Sequence, residues 1–225
     1  MLEVSTHNQL KNLLQDASYP WPHNLTFSRL VASSLRRNQN SLIQLEGDQN
    51  CWWIGLLIPL CLQASDVVLV LSSRQRRRLF EVELPRLKEA GLNLPCWEAA
   101  QPPLDGQVWI VDHLGLIDAF QLGLLTSKHL IIPEAETLVS ALRDVMTLEI
   151  TSEDWESLRK AHPSIDDALM QLYEQISRKL FATASRVDAR VRMDCSEIVA
   201  LRDLAGLADS FPSPWCELFR FDAQS

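Results

Sequence analysis

The sequence contains no C-x-x-C pair, no G-x-S-x-G elbow, no internal repeat and no low-complexity tract. Its five cysteines (Cys51, Cys61, Cys96, Cys195, Cys216) are odd in number and widely scattered. That excludes a zinc framework or a disulfide scaffold and reads as reduced, mostly buried thiols. His23, His129 and His162 have no ligand spacing, so no metal site is expected. No serine sits in that motif, so no nucleophile elbow is expected. The longest apolar run, CWWIGLLIPLCL at 51–62, is too short to span a bilayer and is interrupted by Pro59. The N-terminus lacks the basic flank, apolar core and small-residue cleavage site of a signal peptide. The expectation is a cytoplasmic protein with no membrane partner.

What remains is a composition of 47% hydrophobic and 22% charged residues over 225 positions, with a formal charge of −8. Those values describe a globular α/β domain with room for a helical appendage. The charge is uneven: residues 1–80 carry a net +3 and the other 145 a net −11. Overall acidity opposes bulk nucleic-acid affinity, but a local anion-binding surface stays open.

Hydrophobic spacing organises the chain. Ser5 or Thr6 can cap a first helix carrying Leu10, Leu13 and Leu14, and the prolines of 19–23 then force an extended lead-in. A second helix runs from Leu25 to Arg37, with Thr26 as its cap and Phe27, Leu30, Val31 and Leu35 on its apolar face. Strands are expected at Ser41–Glu46, Asp66–Leu71, Gln107–Asp112 and Lys128–Ile132. They alternate with helices at Trp52–Leu62, Arg74–Ala90, Leu114–Leu122 and Glu134–Val145. Apolar strands between helices imply a mostly parallel sheet covered on both faces, a doubly wound α/β layer. The expected divisions are a lead-in over 1–24, an α/β lobe over 25–150 and a helical segment over 151–225. In the last, helices are expected at Ser152–Lys160, Ile165–Ala184 and Val187–Ala208, with Ser164 and Asp188 near starts and Gly206 near an end. The late helical segment and the aromatic tail read as part of a longer chain.

The loop after the first expected strand is the natural place for an anion, because a helix begins there. A phosphate cradle needs close-packed glycines, a lysine and a metal-binding Ser/Thr. The chain has Gly47 alone, with Asp48 in the loop and Trp52 and Trp53 in the Lys and Ser/Thr places. Losing one preorganised donor typically costs about 3–4 kcal/mol of transition-state stabilisation. Losing both the cation and the metal ligand should abolish hydrolysis. The two indoles read either as core residues that plug a vacated pocket or as an interface anchor.

The order LTFSRLVASSLRRNQNSLIQLEG, IGLLIPLCL, DVVLVLSSRQRRRLFEVELPRL, VWIVDHLGLIDAF, HLIIPEAETL resembles the first RecA-like motor lobe of DinG/XPD-type superfamily 2 DNA helicases. The resemblance covers about residues 25–145. It implies that Gly47 stands at the first glycine of the Walker A loop, with Trp52 and Trp53 at its Lys and Ser/Thr. It also puts Pro133-Glu134-Ala135-Glu136 at the D-E-A-H box. Glu134 then keeps the water-activating place, while Pro133 cannot hold a metal and Glu136 is not the coupling histidine. The family uses ATP and Mg; with both nucleotide motifs broken, no cofactor is expected and the chain reads as a pseudo-helicase. Of the cysteines that would hold the family's iron–sulfur cluster, Cys96 alone falls in the right interval, so no cluster is expected. Turnover also needs a second lobe that supplies an arginine to the γ-phosphate. The pattern supports one lobe.

Ser72, Ser73 and Arg74 stand where the family's strand exit touches the DNA backbone, and Arg76, Arg77 and Arg78 continue the basic cluster. On a helix Arg74 and Arg78 share a face, suited to gripping a phosphodiester without sequence readout. The alternative is a solvated face neutralised by Glu81 and Glu83. Asp112-His113 suggests an acid–base pair, against which stands an ordinary cap at a strand–helix junction. The resulting expectation is a non-catalytic nucleic-acid-docking or structural module, with single-stranded DNA, a protein partner or a second lobe as partners. Two rivals are the N-terminal part of an active ATP-dependent helicase and a protein–protein scaffold.

Overall fold

The structure, a computed structural model, describes residues 2–16, 23–45, 52–64, 66–104, 106–126, 128–183, 192–205 and Trp215. It divides into two compact units, Met1–Met146 and Thr147–Ser225.

The first unit opens with α1 (Leu2–Asp16), α2 (Asn24–Arg37) and α3 (Trp53–Leu62). Ser5 and Thr6 lie inside α1 rather than capping it, and Thr6 is fully buried. The N-cap of α2 is His23, without a side-chain cap bond, so Thr26 sits within the first turn instead. Leu30 is 49% exposed and does not belong to the apolar face, which Phe27, Val31 and Leu35 form. Every residue of α3 from Trp53 to Leu60 is buried, as expected of a helix apolar all round. Gly55 makes this packing possible: an added Cβ would meet Phe27 Cδ1 at 2.7 Å.

The expected strand at Ser41–Glu46 does not form among the described residues. Ser41–Leu45 have no regular structure, and Glu46 lies outside the described residues. Ile43 and Leu45 still pack against the core, while Leu42 is 91% exposed. Apolar alternation alone thus buries one side without recruiting a ladder.

The sheet comprises β1 (Val67–Val70), β2 (Cys96–Trp97), β3 (Val108–Val111) and β4 (His129–Ile131). Its order is β2-β3-β1-β4 and every pairing is parallel, with Val68 opposite Trp109 and Leu130. β2 is too short for periodicity to announce it. Side chains alternate across the sheet. Val67, Leu69, Leu71, Val108 and Ile110 join the core built with α1, α2 and α3. Val68, Val70, Trp109 and Val111 face a second core with Leu116 and Ala119. The protein is therefore mixed α/β and mostly helical, with a small, all-parallel sheet that has apolar partners on both faces.

The expected helix at Arg74–Ala90 is present with an irregularity. α4 (Ser73–Arg78) and α5 (Leu84–Glu89) are joined by a π-turn, Leu79–Glu83, in which Leu84 N–H donates to Leu79 C=O. Pro85 has no N–H and its ring crowds the carbonyl four residues back; a one-residue widening relieves that conflict. α6 (His113–Gln121) follows β3. The helix expected from Glu134 begins later, because Glu134 is left-handed at φ 56°. A 3-10 turn, Ala135–Thr137, leads instead into α7 (Leu138–Met146).

The second unit contains α8 (Ser152–Ala161), α9 (Asp166–Thr183) and α10 (Cys195–Ala205). Trp155, Leu158, Leu169, Leu172, Leu201 and Trp215 form its core. Trp155 and Trp215 meet edge to face at 4.7 Å. The expected helix start at Val187–Asp188, and Gly206, lie outside the described residues. α10 starts at Cys195, which is exposed rather than buried. A reciprocal cap fixes that start: Asp194 Oδ1 accepts from Glu197 N–H at 3.0 Å and Glu197 Oε2 accepts from Asp194 N–H at 2.7 Å. Lys179 Nζ reaches Asp194 at 3.2 Å and Glu197 at 3.1 Å.

Hydrogen bonds from the Ser196 hydroxyl and the Glu197 amide, with Lys179 beside them, hold the Asp194 carboxyl at about 2, below its ordinary 3.8. A lowered folded value stabilises the fold above the unfolded value and is lost as pH falls through the folded one. Asp194→Ala should therefore lower the urea midpoint at pH 7, and the gap from the parent chain should close near pH 2.

Candidate nucleic-acid interface

In a parallel sheet the strands leave at one edge, where α/β proteins place ligands. β1, β3 and β4 are neighbours, about 4.8 Å apart, so the residues after them share that edge. Leu71 N–H donates to Val111 C=O at 2.9 Å, keeping the first two exits in register. The edge gathers Ser72 after β1, Asp112 after β3, and Pro133 and Glu134 after β4. Glu136 is exposed in the following 3-10 turn.

The local chemistry there is largely capping. Ser72 Oγ accepts from Gln75 N–H at 3.3 Å, and Gln75 Oε1 accepts from Ser72 N–H at 2.9 Å. This box starts α4 and engages both Ser72 groups. The Gln75 Nε2 is buried without a partner among the described residues. Asp112 Oδ1 accepts from Gly115 N–H at 2.7 Å, so its carboxylate caps α6 and does not pair with His113. The capping alternative holds at this junction. Glu134 C=O accepts from Thr137 N–H and Oγ1–H, each at 2.9 Å, which fixes the left-handed turn.

Trp52 and Trp53 lie in the larger core, stacked with ring centroids 4.4 Å apart and planes 20° from parallel. They are 8% and 2% exposed. Buried indoles cannot anchor a surface partner, so the interface alternative for this pair fails. Gly47 lies outside the described residues.

The arginines divide into two kinds. Arg78 Nε bonds Glu83 Oε1 at 2.8 Å, and Glu83 is nearly buried, with Arg86 at 3.7 Å from its other oxygen. Arg78 is thus withdrawn from the expected phosphate grip, and the neutralised-face alternative holds for it. Arg76 Nε bonds Glu98 Oε1 at 2.5 Å, joining α4 to the residue after β2. Arg74 and Arg77 are exposed and form no ion pair with the described residues. Beside them Ser73, Arg76, Arg77, Phe80, Glu81 and Glu98 line an open groove of about 340 Å³.

No protein-family model, no curated protein and no solved structure matches this chain. The residues themselves must carry the functional reading. Phe80 and Glu98 were absent from the sequence-derived site. Phe80 sits one turn from the arginines, a legible spacing, whereas Glu98 arrives only through tertiary packing.

Thiol chemistry has no footing near the groove. Burial, with Cys96 close by, pushes the Cys61 thiol up to about 12; burial, with Glu98 beside it, pushes Cys96 up to about 11. Neither thiol is ionised near neutrality. Among the described residues no group of three or more His, Cys, Asp or Glu could hold a metal.

The two kinds of arginine should separate by experiment. Arg78→Ala leaves the Glu83 carboxylate buried beside a more distant cation and should cost on the order of 3 kcal/mol in urea unfolding. Arg77→Ala should leave stability within about 0.5 kcal/mol of the parent.

Proposed function

We propose that this chain is a RecA-like, helicase-type lobe without ATP turnover that docks the sugar-phosphate backbone of nucleic acid. The observation that carries the reading is the buried Trp52–Trp53 stack at the start of α3. By the resemblance to helicase lobes these positions would be the lysine and the metal-binding hydroxyl. Two indoles sunk in an apolar core supply neither a cation nor a magnesium ligand. Pro133 likewise offers no metal-binding oxygen from its side chain at the second nucleotide motif. Docking remains available, since Arg74 and Arg77 stay exposed on the helix that follows the central strand β1.

Backbone contacts release counterions, so affinity falls with salt in proportion to the phosphates neutralised. Binding of a fluorescent single-stranded oligonucleotide, followed by anisotropy between about 50 and 200 mM salt, tests the proposal. Each of Arg74→Ala and Arg77→Ala should reduce the magnitude of the log–log slope by about one. Absence of binding at low salt would favour a protein scaffold instead.

A further inference from the structure

The groove beside the arginines is not a plain cationic surface. Ser73, Arg76 and Arg77 share it with an aromatic ring, Phe80, and with two carboxylates, Glu81 and Glu98. A site meant for phosphate alone gains nothing from carboxylates, which repel the anion. A site for a whole nucleotide can use the cation, the ring and a carboxylate together.

We infer that this groove holds one unpaired nucleotide of a single strand and selects bases that carry an exocyclic amine. The inference rests on the docking reading above and adds base recognition to it. The phosphate lies against Arg77 and Ser73, which stand one turn apart at the rim. The base stacks on the partly buried ring of Phe80, which also packs against the larger core, a contact open to any base. Glu98 supplies the selection. Its Oε1 bonds Arg76 Nε at 2.5 Å, yet a carboxylate has about four lone-pair sites, so it retains capacity for another donor. The Glu98 side chain is 36% exposed and therefore open to solvent and ligand. Cytosine presents N4–H₂ to such an acceptor, whereas thymine presents the O4 acceptor in its place. The Arg76 bond also holds the Glu98 carboxylate still, which lowers the ordering cost of the contact. The volume, about 340 Å³, lies at the small end of ligand pockets, about 300–1,000 Å³. An open groove of this size leaves room for a base to lie against Phe80.

Anisotropy titrations of the full chain with labelled oligo-deoxycytidylate and oligo-deoxythymidylate of about 12 nucleotides test it, with inorganic polyphosphate as a competitor. The cytidylate strand should bind about five- to tenfold more tightly, the worth of one partly exposed, charge-assisted hydrogen bond. Glu98→Gln should erase most of that preference, bringing cytidylate affinity down toward that of the thymidylate strand. Phe80→Ala should weaken both strands together. Equal affinity for the two strands in the parent chain, with binding still salt-dependent, would overturn base selection and leave backbone docking standing. Polyphosphate competing as well as cytidylate at equal charge would likewise overturn it. If neither strand binds at low salt, both readings fall.

Discussion

Burial of α3 on every side is the constraint from which the first unit follows. A helix reading WIGLLIPLCL cannot rest on a surface, so α1 and α2 must cover it while the sheet supplies the rest of its apolar surroundings. Gly55 lets Phe27 approach closely, and the stacked indoles close the N-terminal end of the same core. Full burial of an aromatic side chain is worth about 1.5–3 kcal/mol in transfer free energy. The indoles that fill this core are the same side chains on which the proposed absence of ATP turnover rests.

The exits of the sheet show how few groups are left over for ligands. Ser72 and Asp112 are spent on starting α4 and α6, and Glu134 is held in a left-handed turn. Arg78 neutralises Glu83 under the π-turn. What remains exposed is Arg74, Arg77 and the mixed groove around Phe80. The proposed contacts with phosphate and base draw on those residues.

Much of the fold was legible because it rests on local patterns. The runs VVLV and VWIV announce buried parallel strands, and each was present at its expected place. Failures came where a nonlocal interaction decides the outcome. SLIQL has strand periodicity but joins no ladder, so its pattern is met by packing Ile43 and Leu45 alone. Asp188 resembles a cap but lies outside the described residues, whereas the start at Cys195 depends on Asp194, which gains from both Glu197 and the distant Lys179. The arginine cluster was visible in sequence; its division into buried-pair and free members was not, since it depends on a π-turn and on Glu98. Pro85 was the one available hint of the π-turn.

Crystals grown with a non-hydrolysable ATP analogue and magnesium give the most direct test of the central claim, that indole packing has replaced the triphosphate site. The account predicts stacked Trp52 and Trp53 rings and no ordered phosphate density at the start of α3. An ordered triphosphate there, with the indoles displaced, would contradict it.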